Sequence, residues 1–295
     1  MKADVPSPFH GPRPAVPVLD EAIRRQRDDL RRILAAYGRN AGPNGLHDLR
    51  VALRRSAALG RLLGGHPGPK DGREVRKLAD RLRRYLSPAR QRQVSLELVR
   101  ILTRKDEALH RLVATVLSSG RGISRHPGVA DVQRSGGQVL SAMDEWRESI
   151  SHGAHNRASN RKLGRSVERR VREGAREILE IGIPGRKALH PQRIACKKLR
   201  YELEILRDVV PGVERVVKAS RRAQEVLGDA HDWDGLVQDL EKAAGTLPPR
   251  EKRAIADLIS RAKSNRRRTS LRAKDAMADF LPLVETLPHL VKPVS

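Results

Sequence analysis

The segment Leu189-His190-Pro191-Gln192-Arg193-Ile194-Ala195-Cys196-Lys197-Lys198-Leu199-Arg200-Tyr201-Glu202 sorts its charge cleanly when it is read as a helix. At 3.6 residues per turn, His190, Arg193 and Lys197 stand at i, i+3 and i+7 and share one face. Ala195, Leu199 and Leu203 fall beside that face at core-facing spacing. An earlier stretch, Leu46-His47-Asp48-Leu49-Arg50-Val51-Ala52-Leu53-Arg54-Arg55, repeats the pattern. Both read Leu-His-x-x-Arg, a β-branched residue, Ala, one free position and two basic residues. His47, Arg50 and Arg54 again share a face, beside Leu49, Ala52 and Leu53. Each helix thus carries one stripe for a core and another that concentrates positive charge. A duplicated stripe of this kind calls for an extended anion.

The rest of the composition agrees. Among 295 residues, 60 basic side chains face 35 acidic ones, a formal charge of +25. A field of that size steers polyanions: nucleic acid, an anionic membrane or polyphosphate. Ordinary solvation of helix surfaces accounts for part of the excess but not for the register of the arginines. Aromatic residues make up 2% of the chain, too few for the base stacking on which binders of single-stranded nucleic acid rely. Helix-turn-helix, zinc-finger and RNP patterns are absent from the sequence. A polyanion without bases fits best. Hydrophobic content of 38%, with Arg, Leu, Ala and Glu dominant, suits helices that bury one stripe each. The fold class expected is all-α, and 295 residues suffice for one large domain or two ordinary ones.

In chain order, residues 1–17 hold five prolines without periodicity and read as a disordered arm. A first helix is expected from Asp20, as cap, to about Tyr37, with Arg24, Arg27 and Arg31 along one face. The first His helix ends at Gly64-Gly65. After a Pro/Gly loop from His66 to Gly72, helices follow over about 75–86, 90–102 and 106–117, closing a first half of about 18–117. Residues 118–156, punctuated by glycines, read as a connection with a short helix near 139–150 anchored by Trp146. The second half, about 157–281, opens with Arg161, Arg165, Arg169, Arg172 and Arg176 along one helix face. Most of the acids nearby are placed on other faces, so this stripe reads as anion contact. It should pack beside the second His helix as the first helix packs beside the first His helix, so that four basic stripes line one space. Beyond Pro211-Gly212 a helix to Gly228, an Asp-rich turn and a helix over about 232–245 are expected. A last helix then runs from Pro248-Pro249 to about Phe280, with a tail over 286–295.

Two elements together carry a family resemblance: the paired His helices, and Leu227-Gly228-Asp229-Ala230-His231-Asp232-Trp233-Asp234. Over roughly Val18 to Leu281 the chain resembles the CHAD family, the conserved-histidine α-helical domain. Its internal repeat carries His-x-x-Arg and further basic residues on a helix, and a Leu-Gly-x-x-(Arg/Asn)-Asp-x-Asp turn later in the repeat. In the first half the corresponding stretch is Leu86-Ser87-Pro88-Ala89-Arg90-Gln91-Arg92-Gln93-Val94, where both acids have become Gln. The resemblance implies a pair of antiparallel helical bundles related by pseudo-two-fold symmetry, whose basic interior binds inorganic polyphosphate. An association with polyphosphate granules goes with that expectation.

Guanidinium groups bind phosphate oxygens bidentately, Lys serves as a point charge, and His donates in either protonation state. The candidate ligands are therefore His47, Arg50, Arg54, Arg55, His190, Arg193, Lys197, Lys198, Arg200 and Tyr201 on the His helices. Arg24, Arg27, Arg31, Arg161, Arg165 and Arg169 join them on the neighbouring helices. Cleavage of a phosphate chain usually needs a carboxylate-held metal and a positioned nucleophile. Neither stripe offers a carboxylate pair, and no Gly-rich loop ends in Lys-Ser/Thr. The expectation is binding without catalysis, cofactor or metal. A phosphohydrolase or triphosphatase using Asp229, Asp232 and Asp234 as metal ligands is the alternative, and a protein holding nucleic-acid backbones is a third reading. Gln91 and Gln93 exclude a duplicated metal site. The single cysteine, Cys196, reads as core packing and points to a reducing compartment. With no apolar run near 20 residues and no signal-peptide centre, a cytoplasmic location is expected.

Overall fold

Leu- and Ala-rich stretches with apolar residues every third or fourth position become helices throughout the computed structural model. It describes residues 15–63, 72–104, 106–119, 128–153, 157–183, 185, 188–207, 210, 212–245 and 247–291. Among these, ten helices and no strands form: α1 (Ala15–Arg39), α2 (Pro43–Leu63), α3 (Gly72–Tyr85), α4 (Ser87–Leu102) and α5 (Glu107–Ser119), then α6 (Val129–Gly153), α7 (Arg157–Ile181), α8 (Leu189–Leu206), α9 (Val213–Ala244) and α10 (Pro249–Leu290).

The two His helices, α2 and α8, pack against each other at the centre. α1 and α3 flank α2, α7 and α9 flank α8, and α10 lies along α9 and α7. Leu49, Leu53 and Leu62 of α2 join Leu199 and Leu203 of α8 in one principal core that also takes Trp146, Met277 and Phe280. Cys196 is buried within it, its Sγ 3.7 Å from Met277 Sδ, and burial raises its thiol to about 12. The sequence reading of Cys196 as packing holds. A smaller cluster joins α4, α5, α9 and α10 through Val99, Val113, Leu236, Leu240 and Leu258.

Several expectations need correction. Residues 15–17, assigned to the arm, are the start of α1, while residues 1–14 lie outside the described residues. Asp20 is not a cap: it sits inside α1, where it accepts a hydrogen bond from Arg147 Nε at 2.7 Å. The segment read mainly as a connection contains α6, a helix of 25 residues packed on α1 and α3. Gly136 is an approach point rather than a break: a Cβ there would lie 2.5 Å from Leu34 Cδ2. Val132, Val139, Met143, Trp146 and Ile150 form its buried stripe, and Trp146, 1% exposed, is the anchor expected.

The Asp-rich turn is another. Leu227 to Asp234 lie in the middle of α9, a continuous helix of 32 residues. Val226, Leu227, Ala230, Trp233 and Val237 keep an unbroken apolar period across Gly228, so core packing outweighs that glycine's cost of roughly 1 kcal/mol. In the first half a break does occur, at Leu86 between α3 and α4, where Pro88 lacks the N–H that would continue the ladder. α10 begins at Pro249 close to expectation but runs to Leu290, through Pro282 and Pro288, because Val284 and Leu287 are still buried. Of the loop read from His66 to Gly72, Gly72 is the first residue of α3 and the rest lies outside the described residues, as do Gly64-Gly65 and Pro211.

Candidate functional site

α2 and α8 pack against each other, and the ion pairs made around them decide which cations are balanced. Toward their C-terminal ends, Arg61 of α2 donates to Glu202 of α8 at 3.1 Å, and Arg55 pairs with Glu204 at 3.7 Å. Glu202 is 2% exposed and also lies 3.9 Å from Arg170 of α7. Glu204 further accepts from Arg221 of α9 at 3.0 Å and pairs with Arg200 at 3.5 Å. This end of the helix pair is charge-compensated.

The N-terminal half is different. Arg50 and Arg54 of α2 face Arg193 and Lys197 of α8, and Arg83 of α3 and Arg90 of α4 close in from the side, Arg83 also pairing with Asp80 at 3.1 Å and Arg90 with Glu97 at 4.0 Å. Burial, followed by Arg54, Arg83, Arg90 and Arg193, lowers Arg50 to about 9. Lys197 is lowered to about 6, first by burial and then by Arg54, Arg193, Arg83 and Arg50. Burial likewise lowers Arg193; Asp232 offsets this and Arg54 adds to it. His47 is lowered by burial and then by Arg90 and Arg54, and His190 by burial and then by Arg193 and Lys197. The Nε groups of Arg50, Arg54 and Arg193 are buried without a hydrogen-bond partner. A buried donor left unpaired costs about 1–3 kcal/mol, so this groove carries unmet demand for an acceptor.

The sixteen residues expected at the site therefore divide. His47, Arg50, Arg54, His190, Arg193 and Lys197 come together as the spacing predicted. Arg50 is more deeply built in than a ligand-facing stripe implies: it is 8% exposed and donates through Nη1 to Arg83 O and Ser87 Oγ, both at 3.0 Å. Arg55 and Lys198, each one place round the helix from the stripe, are held by Glu204 and by Glu177 at 2.9 Å, while Arg200 keeps to the stripe's face and is held by Glu204 one turn on. Tyr201 is buried beneath the Arg200 guanidinium, 4.3 Å from its ring centre. On α1, Arg24 pairs with Glu21 at 2.8 Å, Arg27 with Asp144 and Asp28, and Arg31 is exposed.

The α7 stripe is corrected too. Arg169 pairs with Glu173 at 3.9 Å, Arg172 with Glu168 at 2.6 Å and Arg176 with Glu180 at 2.6 Å. These are i,i+4 partners on the same face, the pattern of a solvated helix surface. Arg165 is exposed beside them, and the side chain of Arg161 lies outside the described residues. α1 and α7 do pack beside the His helices, but their stripes are not free cations lining the groove.

Sequence reasoning missed Arg83, Arg90 and His231. The signal for two of them was present: aligning Leu86 with Leu227 puts Arg90 opposite His231, and both enter the groove's electrostatics. Of the three acids of α9, Asp229 and Asp232 stand one turn apart and interact, while Asp234 turns away. Asp232 faces Arg193, Arg90 and Lys197, whereas Asp234, about 160° further round a continuous helix, pairs with Arg266 at 3.2 Å. Asp229 lies near Arg272 and Glu225. Among the described residues, no group of three or more His, Cys, Asp or Glu is placed to hold a metal ion. Nor is any helix there long and apolar enough to cross a membrane.

Fold and site together define an all-helical protein with a basic groove between two His-bearing helices. The family model of the CHAD domain matches residues 21–236, and the chain belongs to that family. A solved relative, the crystal structure of the CHAD domain from the plant Ricinus communis, shares the fold: TM-score 0.57 at 18% identity, covering 94% of this chain and 92% of that one. No curated protein matches the chain.

Proposed function

We propose that this chain binds inorganic polyphosphate, without cleaving it, in the groove between α2 and α8. The observation that carries the reading is the cluster of Arg50, Arg54, Arg83, Arg90, Arg193 and Lys197, in which burial and then the neighbouring cations depress Arg50 and Lys197, and which is furnished with unpaired buried donors. A chain of phosphates offers an acceptor and a negative charge at every repeat. It would satisfy the Nε groups and relieve the repulsion in one step. His47 with Arg50 and Arg54, and His190 with Arg193 and Lys197, contribute equivalent faces from the two halves, which supports an internally duplicated, pseudo-symmetric origin. The lack of catalysis is supported by Asp234 turning away from Asp229 and Asp232, so that the three do not converge on one metal position among the described residues. Holding such chains would also carry the protein to polyphosphate granules.

Polyphosphate is favoured over nucleic acid because few aromatic residues are offered to bases. Trp146, Trp233, Tyr37, Tyr201 and Phe280 are buried, and the exposed Tyr85 lines a separate pocket with Leu78, Arg81 and Asp131. The test is a competition at physiological salt among polyphosphate, duplex DNA and single-stranded RNA at equal phosphate concentration. Polyphosphate is expected to win, with affinity falling steeply as salt rises, as counterion release dictates for polyanions. RNA binding as tightly or more tightly would overturn the proposal.

A further inference from the structure

Next to the groove, α10 forms a cavity of about 360 Å³ with the start of α8 and the middle of α9. Its lining includes His190, His231, Lys263, Arg266, Arg267 and Lys274. The α10 members stand at positions 263, 266, 267, 270, 271 and 274, a stretch of roughly 16 Å along that helix. These α10 residues lie beyond residues 21–236, the span matched by the family model. Two of its cations are already balanced, Lys263 by Glu241 at 2.7 Å and Arg266 by Asp234 at 3.2 Å. Arg267 and Lys274 are exposed and engage no acid among the described residues.

The cavity is joined to the groove. The rings of His190 and His231 lie 5.1 Å apart, and Arg193 and Lys197 act electrostatically on both. His190 heads the stripe that continues into the groove through Arg193 and Lys197, so an anionic chain leaving the groove at α8's N-terminus passes the two imidazoles and meets α10. Paired cations keep the walls in place, and the unpaired ones remain available to phosphate.

We infer that the α10 face is a second phosphate subsite, continuous with the groove past His190 and His231, that makes the protein prefer long polyphosphate chains over short ones. This rests on the groove being a polyphosphate site. A short oligophosphate is held by the groove alone. A longer chain reaches Arg267 and Lys274 as well, and gains affinity without a second binding event, as linked sites do.

The experiment compares tripolyphosphate with long-chain polyphosphate on the full chain and on the double variant Arg267→Glu/Lys274→Glu, with helical circular dichroism confirming that both are folded. Wild type should bind the long chain more tightly, per chain. The variant should lose about tenfold or more of that affinity while its affinity for tripolyphosphate changes little. The salt dependence of long-chain binding should drop by about two in logarithmic slope, one for each phosphate contact removed. Unchanged long-chain binding by the variant, or an equal loss for both ligands, would overturn the subsite and leave the groove intact. Failure of the wild type to bind either ligand would instead overturn the groove reading, and this inference with it.

Discussion

Lys197 is the residue at which site and titration meet. Its ordinary value is near 10.4, and in the folded chain burial and four arginines bring it to about 6. Between those values the unfolded chain holds a proton that the folded chain lacks. Stability without ligand therefore rises with pH from about 6 toward 10. A bound polyanion acts in the opposite sense, favouring the ammonium, so binding takes up a proton. Affinity for polyphosphate should fall by up to about tenfold per pH unit above about 6. Below that pH, Lys197 is already charged; the remaining dependence belongs to His47 and His190, which their surroundings hold below the usual imidazole range. Affinities measured from pH 5.5 to 9 should show the slope in wild type and lose it above pH 6 in Lys197→Met, while Arg54 and Arg193 sustain binding. A flat wild-type profile would mean that the amine is charged in the empty groove.

At the scale of the element, the continuity of α9 decides the part its acids play. A turn after Gly228 would have left Asp229, Asp232 and Asp234 free to converge; one unbroken helix sends them to different neighbours. Asp232 alone looks into the groove, toward Arg193, Arg90 and Lys197. There it moderates the cations and repels phosphate. Asp232→Asn should tighten polyphosphate binding roughly fivefold, the ~1 kcal/mol of one unit charge pair at 4 Å in water, and should do so without magnesium. Phosphate release from polyphosphate or ATP by the wild type, abolished in this variant, would favour a hydrolase instead. A break such as that at Leu86 is thus more than a detail of geometry: there, Ser87 at the start of α4 accepts from Arg50.

For the whole molecule the governing fact is a net charge of +25, with its least compensated part gathered at the centre. Such self-repulsion opposes compaction, and a ligand that binds only the folded chain offsets it. At a hundredfold excess over Kd, long-chain polyphosphate should add about 2.7 kcal/mol, a rise in Tm of roughly 5–10 °C. Orthophosphate at the same phosphate concentration should give a small part of that rise, as should sodium chloride at matched ionic strength. An equal rise with orthophosphate, followed by thermal melting, would point to general screening rather than capture of a chain.

The sequence by itself determined what depends on near neighbours. Helices α2, α3, α4, α5, α7 and α8 lie close to where periodicity put them, because an apolar stripe is set within a few turns. The same local rule aligned His47, Arg50 and Arg54, and His190, Arg193 and Lys197. The α7 pairs were legible too, since Glu173 and Glu180 stand four places from Arg169 and Arg176; their weight was misjudged rather than hidden. Only the tertiary structure decided which cations stay uncompensated. Arg61 meets Glu202, Arg55 meets Glu204 and Arg27 meets Asp144 across helix interfaces, while Arg83 and Arg90 are delivered to the groove by α3 and α4. Charge balance at a site sums over every helix packed around it, and packing joins residues that no periodicity connects.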